Sequence, residues 1–113
     1  AVINEFSPVL TELFETLGRE KVLRIGEKFF EELDVLIQQS IDGVFAEDHV
    51  ALVEATHKMK GAAVLLGQNV LETPLDQLEC HTLEGNVTDL TNSIQSLRNI
   101  AQQSKAAFFD LTA

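Results

Sequence analysis

The sequence predicts an all-α chain, an antiparallel up-down four-helix bundle preceded by a short N-terminal cap helix, forming one domain over residues 1–113. Three observations predict it. Apolar residues recur with a period near 3.6 almost everywhere and nowhere alternate with a period of two over a useful length. The links between periodic segments are short and contain glycine, so successive helices double back on one another. At 113 residues and 45% apolar content, the chain is large enough for one hydrophobic core without disulfide or metal staples.

Each element has its own signals. Ser7 before Pro8 marks a helix start: the hydroxyl accepts an orphan N–H, and proline's missing N–H costs nothing at the first helical position. Leu10, Leu13, Phe14 and Leu17 then form one stripe, and Gly18 stops it. A second helix is expected from about Arg19 to Ile41, with Val22, Ile25, Phe29, Leu33 and Leu36 on one face and Asp42-Gly43 closing it. The third begins after the capping residue Asp48 and runs to Gly67. In the fourth, from about Gln68 to Glu84, Pro74 either kinks the helix or marks a fresh start capped by Thr73, and a kink is the expectation. The last starts near Asn86 or Thr88. Its Leu90, Ile94, Leu97, Ala101, Ser104, Phe108 and Leu111 keep a three-four spacing over three heptads, the pattern of a bundle seam.

Composition excludes several classes of function. Eighteen acidic against eight basic side chains give a formal net charge of −10, which repels nucleic acid and anionic lipid. No apolar run approaches the ~20 residues of a membrane span, and no signal-peptide pattern opens the chain, so a cytoplasmic setting is expected. The lone Cys80 can form no internal disulfide. There is no Gly-rich nucleotide loop and no spaced nucleophile and base, so no autonomous enzyme is expected. Ala1 in place of methionine suggests a chain cut from something longer.

The third helix carries the informative stretch, Ala55 to Gly67 (ATHKMKGAAVLLG). At 100° per residue, Leu52, Ala55, Met59, Ala63 and Leu66 share the core side, and His57 lies nearly opposite, in solvent. Val50, Val53, Glu54, Lys60, Gly61 and Val64 surround it on the outer face. Three exposed valines around a polar group suggest a docking surface. A side chain at i+4 leans back over residue i, so any residue larger than Gly61 is expected to cover part of the His57 ring. Glycine costs about 1 kcal/mol against alanine there and leaves room for a tetrahedral group. Lys60, at i+3, can bring an ammonium to anything attached to the ring. Glu54 and Lys58 are spaced as a stabilising i,i+4 pair. His49 and His81 read as plain surface or boundary residues. A metal site built from His81, Cys80 and a carboxylate is not expected, because adjacent positions on a helix point about 100° apart and cannot readily grip one ion.

Thr56, His57, Met59, Lys60, Gly61, Ala62 and Ala63, followed by Leu66-Gly67, resemble the signature of histidine phosphotransfer (HPt) domains. The opening LTELFETLGREKV, the phenylalanine-bearing second helix and the LDQLE stretch of the fourth extend that resemblance over nearly the whole chain. It implies a phosphorelay intermediate in two-component signal transduction, without kinase activity of its own. His57 would accept a phosphoryl group from an aspartyl phosphate on one receiver domain and pass it to an aspartate on another. Lys60 would neutralise the phosphoryl oxygens, the receiver would supply magnesium, and the domain itself would need no cofactor. Receiver contact would centre on Val50, Val53, Glu54, Lys58 and Val64 of the third helix, extended by the second, with the domain monomeric and serving a free-standing relay or the tail of a hybrid sensor kinase. The sequence departs from the family in placing Glu79, with Gln77 nearby, where many members carry a glutamine; a carboxylate there would repel a phosphoryl group. Pro74 is likewise unusual. The competing expectation is a helical adaptor or dimerisation domain that happens to carry a histidine.

Overall fold

The computed structural model describes residues 8–112, with side chains described to residue 110. Every regular element among them is helical: α1 (Pro8–Leu17), α2 (Arg19–Phe45), α3 (His49–Leu65), a single 3-10 turn (Asn69–Leu71), α4 (Glu72–Glu84) and α5 (Val87–Thr112). The expected cap at Ser7 lies outside the described residues, as does the side chain of Leu111. Helix α2 packs on α3 and α5, α4 packs on α3 and α5, and α1 lies against α2. The result is a rod of 43 × 24 × 18 Å, its length that of α2, since 27 residues at ~1.5 Å each span about 40 Å. None of these helices is long and apolar enough to cross a membrane.

The stripes meet in one core. Val22, Phe29, Leu33 and Leu36 of α2 are buried with Leu52, Ala55, Met59, Ala63 and Leu66 from the α3 stretch and Leu90, Ile94, Leu97, Ala101 and Phe108 of α5. Leu71, Leu75 and Leu78 complete it. Phe30 contacts Phe29, Phe108 and Phe109, with ring centroids 4.8, 5.7 and 6.0 Å apart, joining the first half of α2 to the last turns of α5. Such edge and tilted contacts add to the burial of each ring.

Several positions differ from what the spacing predicts. Ile25 stands at the margin of its stripe and is 41% exposed, while Phe30 and Ile37 take inward positions. In α1 only Leu10 is fully buried; Leu13 and Phe14 pack partly against the core, and Leu17, at the end of the helix, is exposed. Asp42-Gly43 does not end α2, which continues to Phe45. Gly43 is helical and buried there, and a Cβ on it would lie 3.3 Å from Cγ of Leu52 and 3.4 Å from the Asp48 carbonyl oxygen, so it serves the close approach of α3. Pro74 does not kink a helix: the 3-10 turn precedes it, α4 starts afresh at Glu72, and Pro74 falls in its first turn, where an N–H has no helical partner. Thr73 is inside that helix and does not cap it.

The junctions are built as their chemistry requires. Gly18 (φ 84°) and Gly85 (φ 73°) adopt the left-handed backbone that lets the chain reverse after α1 and α4. Asp48 Oδ1 accepts the Ala51 N–H at 3.1 Å, and Asn86 Oδ1 accepts the Asp89 N–H at 3.1 Å, capping α3 and α5. Gln68 belongs to the link and not to the fourth helix. Its buried amide donates to the Leu66 carbonyl and accepts from the hydroxyl of Ser104 at 2.6 Å, which explains a buried serine in the α5 seam.

Candidate functional site

Helix α3 carries His57 on a face turned partly towards α4. The ring is 67% exposed, as the wheel requires. It borders a groove of about 240 Å³ lined by Val53 and Thr56 of α3 and Glu79, Thr82 and Leu83 of α4. Thr56 and Thr82 are buried, yet each hydroxyl donates to the carbonyl one turn earlier, Leu52 and Leu78 respectively, so the floor of the groove is satisfied. Gly61 is exposed, and a Cβ built on it meets nothing within 4 Å. A methyl at 61 therefore does not touch the imidazole. Covering the ring needs a longer side chain than the helical wheel suggests.

Lys60 does not extend freely into solvent. Its ammonium crosses to α4 and lies 2.8 Å from Oδ1 of Asp76 and 3.3 Å from Oε1 of Glu79. The hydrogen bond with Asp76 raises the Lys60 pKa above its ordinary value, partial desolvation opposes that rise, and Glu79 adds to it. The second oxygen of Glu79 lies 3.9 Å from Nδ1 of His57. One carboxylate thus stands between the ring and the ammonium. Asp76 is a member of the site that the spacing within α3 does not reveal. It sits three residues before Glu79, a spacing that puts both acids on one face of a helix, and that signal is present in LDQLE.

The other expected surface residues are distributed over three faces. Val53 is half-buried in the α4 groove and is not an exposed valine. Val50 and Val64 are 65% and 59% exposed; each lies seven residues from His57, about 10 Å along the axis, so they mark the ends of a line through the histidine instead of a cluster around it. Leu65, 76% exposed, extends the Val64 end, an addition to the expected surface. Glu54 and Lys58 face the α2 side, lining a hollow with Gln39 and Asp42, and form no ion pair with each other. Elsewhere, His49 is exposed and His81 stands at the boundary, half-buried, as expected of a surface and a boundary residue, and the Nδ1 of His81 is hydrogen-bonded to the Ser93 hydroxyl. Cys80 is exposed, and its thiol donates to Glu84, which raises its pKa.

Chemically, the site offers an accessible imidazole as nucleophile, open space on its C-terminal side, and an ammonium already balanced by two carboxylates. Comparison with known proteins finds no matching family model, no matching curated protein and no matching solved structure.

Proposed function

We propose that this chain is a histidine phosphotransfer module, with α2 to α5 as an antiparallel four-helix bundle and α1 as its cap. The observation that carries the reading is a single one: on a rigid helix, an exposed imidazole is followed at i+3 by lysine and at i+4 by a glycine with open space around it. Phosphoryl transfer asks a protein for alignment and charge neutralisation more than for covalent chemistry of its own. His57 has the alignment.

In the proposed step, the free Nε2 lone pair of neutral His57 attacks the phosphorus of an aspartyl phosphate on a receiver domain. The N–P bond forms, the acyl P–O bond breaks, and the aspartate leaves as a carboxylate. The Nδ1 proton stays on the ring, on the side where Oε2 of Glu79 lies 3.9 Å away and can balance positive charge. Onward transfer to a second receiver reverses the sequence. Magnesium comes with the receiver, and no cofactor is assigned to this chain. Lys60 must leave Asp76 and Glu79 to meet the phosphoryl oxygens, whose charge competes with those two carboxylates. Receiver contact is proposed along the line from Val50 through His57 to Val64 and Leu65, flanked by Glu54 and Lys58 on the α2 side. The module acts as a monomer in the cytoplasm, without nucleic acid or membrane.

Incubation with a phosphorylated receiver tests this. Label is expected on His57, acid-labile and alkali-stable, and absent in His57→Gln. The exposed Val50, Val64 and Leu65 also suit an adaptor that binds without transfer; receiver binding that survives His57→Gln with no phosphohistidine in the wild type would establish that alternative.

A further inference from the structure

The geometry points to a divalent transition-metal site at the α4–α5 turn, with His81, Glu84 and Asp89 as ligands and zinc as its best probe. The site is separate from the His57 groove and does not depend on the phosphotransfer reading.

The turn itself creates the cluster. His81 and Glu84 are three residues apart near the end of α4 and so share a face. The left-handed Gly85 then reverses the chain, and Asn86 caps α5, placing Asp89 in its first turn beside them. One ligand atom from each residue lies within 4.8 Å of the others. Around zinc, nitrogen and oxygen ligands sit at ~2.0–2.2 Å, so the three must close by about 1 Å. Glu84 is exposed, and only a long thiol contact from Cys80 at 3.6 Å holds its carboxylate, so a change of rotamer costs little.

The donor set is chemically specific. One imidazole nitrogen and two carboxylates suit zinc and its neighbours better than calcium or magnesium, which prefer oxygen throughout. The ring of His81 is held in place: Nδ1 is hydrogen-bonded to the buried hydroxyl of Ser93, the kind of partner that orients a metal-ligating imidazole, and Nε2 is the ring nitrogen outside that bond. The two carboxylates also lack a cation. Among the described residues, no lysine or arginine forms an ion pair with Glu84 or Asp89. A bound ion would offset their repulsion and staple α4 to α5 across the turn, with water completing the coordination. Cys80 contacts Glu84 at 3.6 Å as a thiol donor and stands outside the ligand set.

The full chain, freed of metal, is titrated with zinc chloride by calorimetry and then melted with and without zinc. One equivalent is expected to bind, with a rise in Tm of about 4 °C when zinc is well above its Kd. Glu84→Gln, at an exposed position, and Asp89→Asn, at a half-buried one, should each weaken binding at least about tenfold, since loss of even an outer-shell partner costs that much. His57→Gln and Cys80→Ser should bind as the wild type does. Absence of saturable binding to the wild type, wild-type affinity in both carboxylate variants, or loss of binding in His57→Gln overturns the assignment.

Discussion

The ammonium of Lys60 on α3 lies 2.8 Å from the carboxylate of Asp76 on α4, so the cation beside the candidate phosphoacceptor is already committed to the neighbouring helix. The contact joins two elements near an exposed histidine, and it is shared with Glu79 at 3.3 Å. Its energetic effect is measurable on the protein alone, without any receiver.

Because Asp76 first and Glu79 second raise the Lys60 pKa, the contribution of this contact to stability has a definite sign with pH. It is fully present below the unfolded lysine value of about 10.4 and fades as pH climbs through the higher folded value. With Asp76 60% exposed, the contribution is under about 1 kcal/mol. Urea unfolding of wild type and Lys60→Gln should therefore show a gap at pH 8 that narrows at pH 11. A gap that does not change with pH would mean that the charge of Lys60 contributes nothing and that its methylene stem accounts for the loss.

Gly61 separates stability from access. A methyl there enters open space and removes a helix-interior glycine, so Gly61→Ala should stabilise the fold by about 0.5–1 kcal/mol with transfer to His57 close to wild type. Gly61→Leu should fold equally well, but its side chain can lean over the ring and slow transfer about tenfold. Rapid quench with a phosphorylated receiver distinguishes the two. A leucine variant as fast as wild type would remove the steric role of position 61.

Gly26 has a different reason to be glycine. It is buried within α2, and a Cβ on it would overlap the Cε2 and Cζ atoms of the Phe108 ring. That ring is itself 1% exposed and surrounded by Phe30 and Phe109, so it has little room to retreat. Gly26→Ala should cost about 1–3 kcal/mol by overpacking, against alanine's better helix propensity. In a Phe108→Leu background the same substitution should cost less, and the double-mutant cycle should show that coupling. Additive effects would place the cost in the backbone instead of the ring.

Helix number, order and most core positions were legible in the sequence because they depend on local periodicity: all five α3 core positions, and the α5 seam from Leu90 to Phe108, are buried as their spacing requires. The accessibility of His57 was legible for the same reason. The errors arose where a second helix decides the outcome. Gly43 looks like a stop until Leu52 is seen against it, and Val53 looks exposed until α4 covers its flank. The partners of Lys60 could not be read from α3 at all, since Asp76 and Glu79 reach it from α4 and residue spacing within one helix says nothing about which face a neighbour presents.

The hydroxyl of Ser104 reaching back to the amide of Gln68 spans 36 positions of chain and ties the entrance of α4 to the far half of α5. A truncation before residue 104 would strand a buried amide oxygen and remove the ring that Gly26 accommodates. The domain therefore has little tolerance for shortening on that side, and any excised or fused version must carry α5 at least through Phe108 to keep the helix bearing Glu79 in register with the one bearing His57.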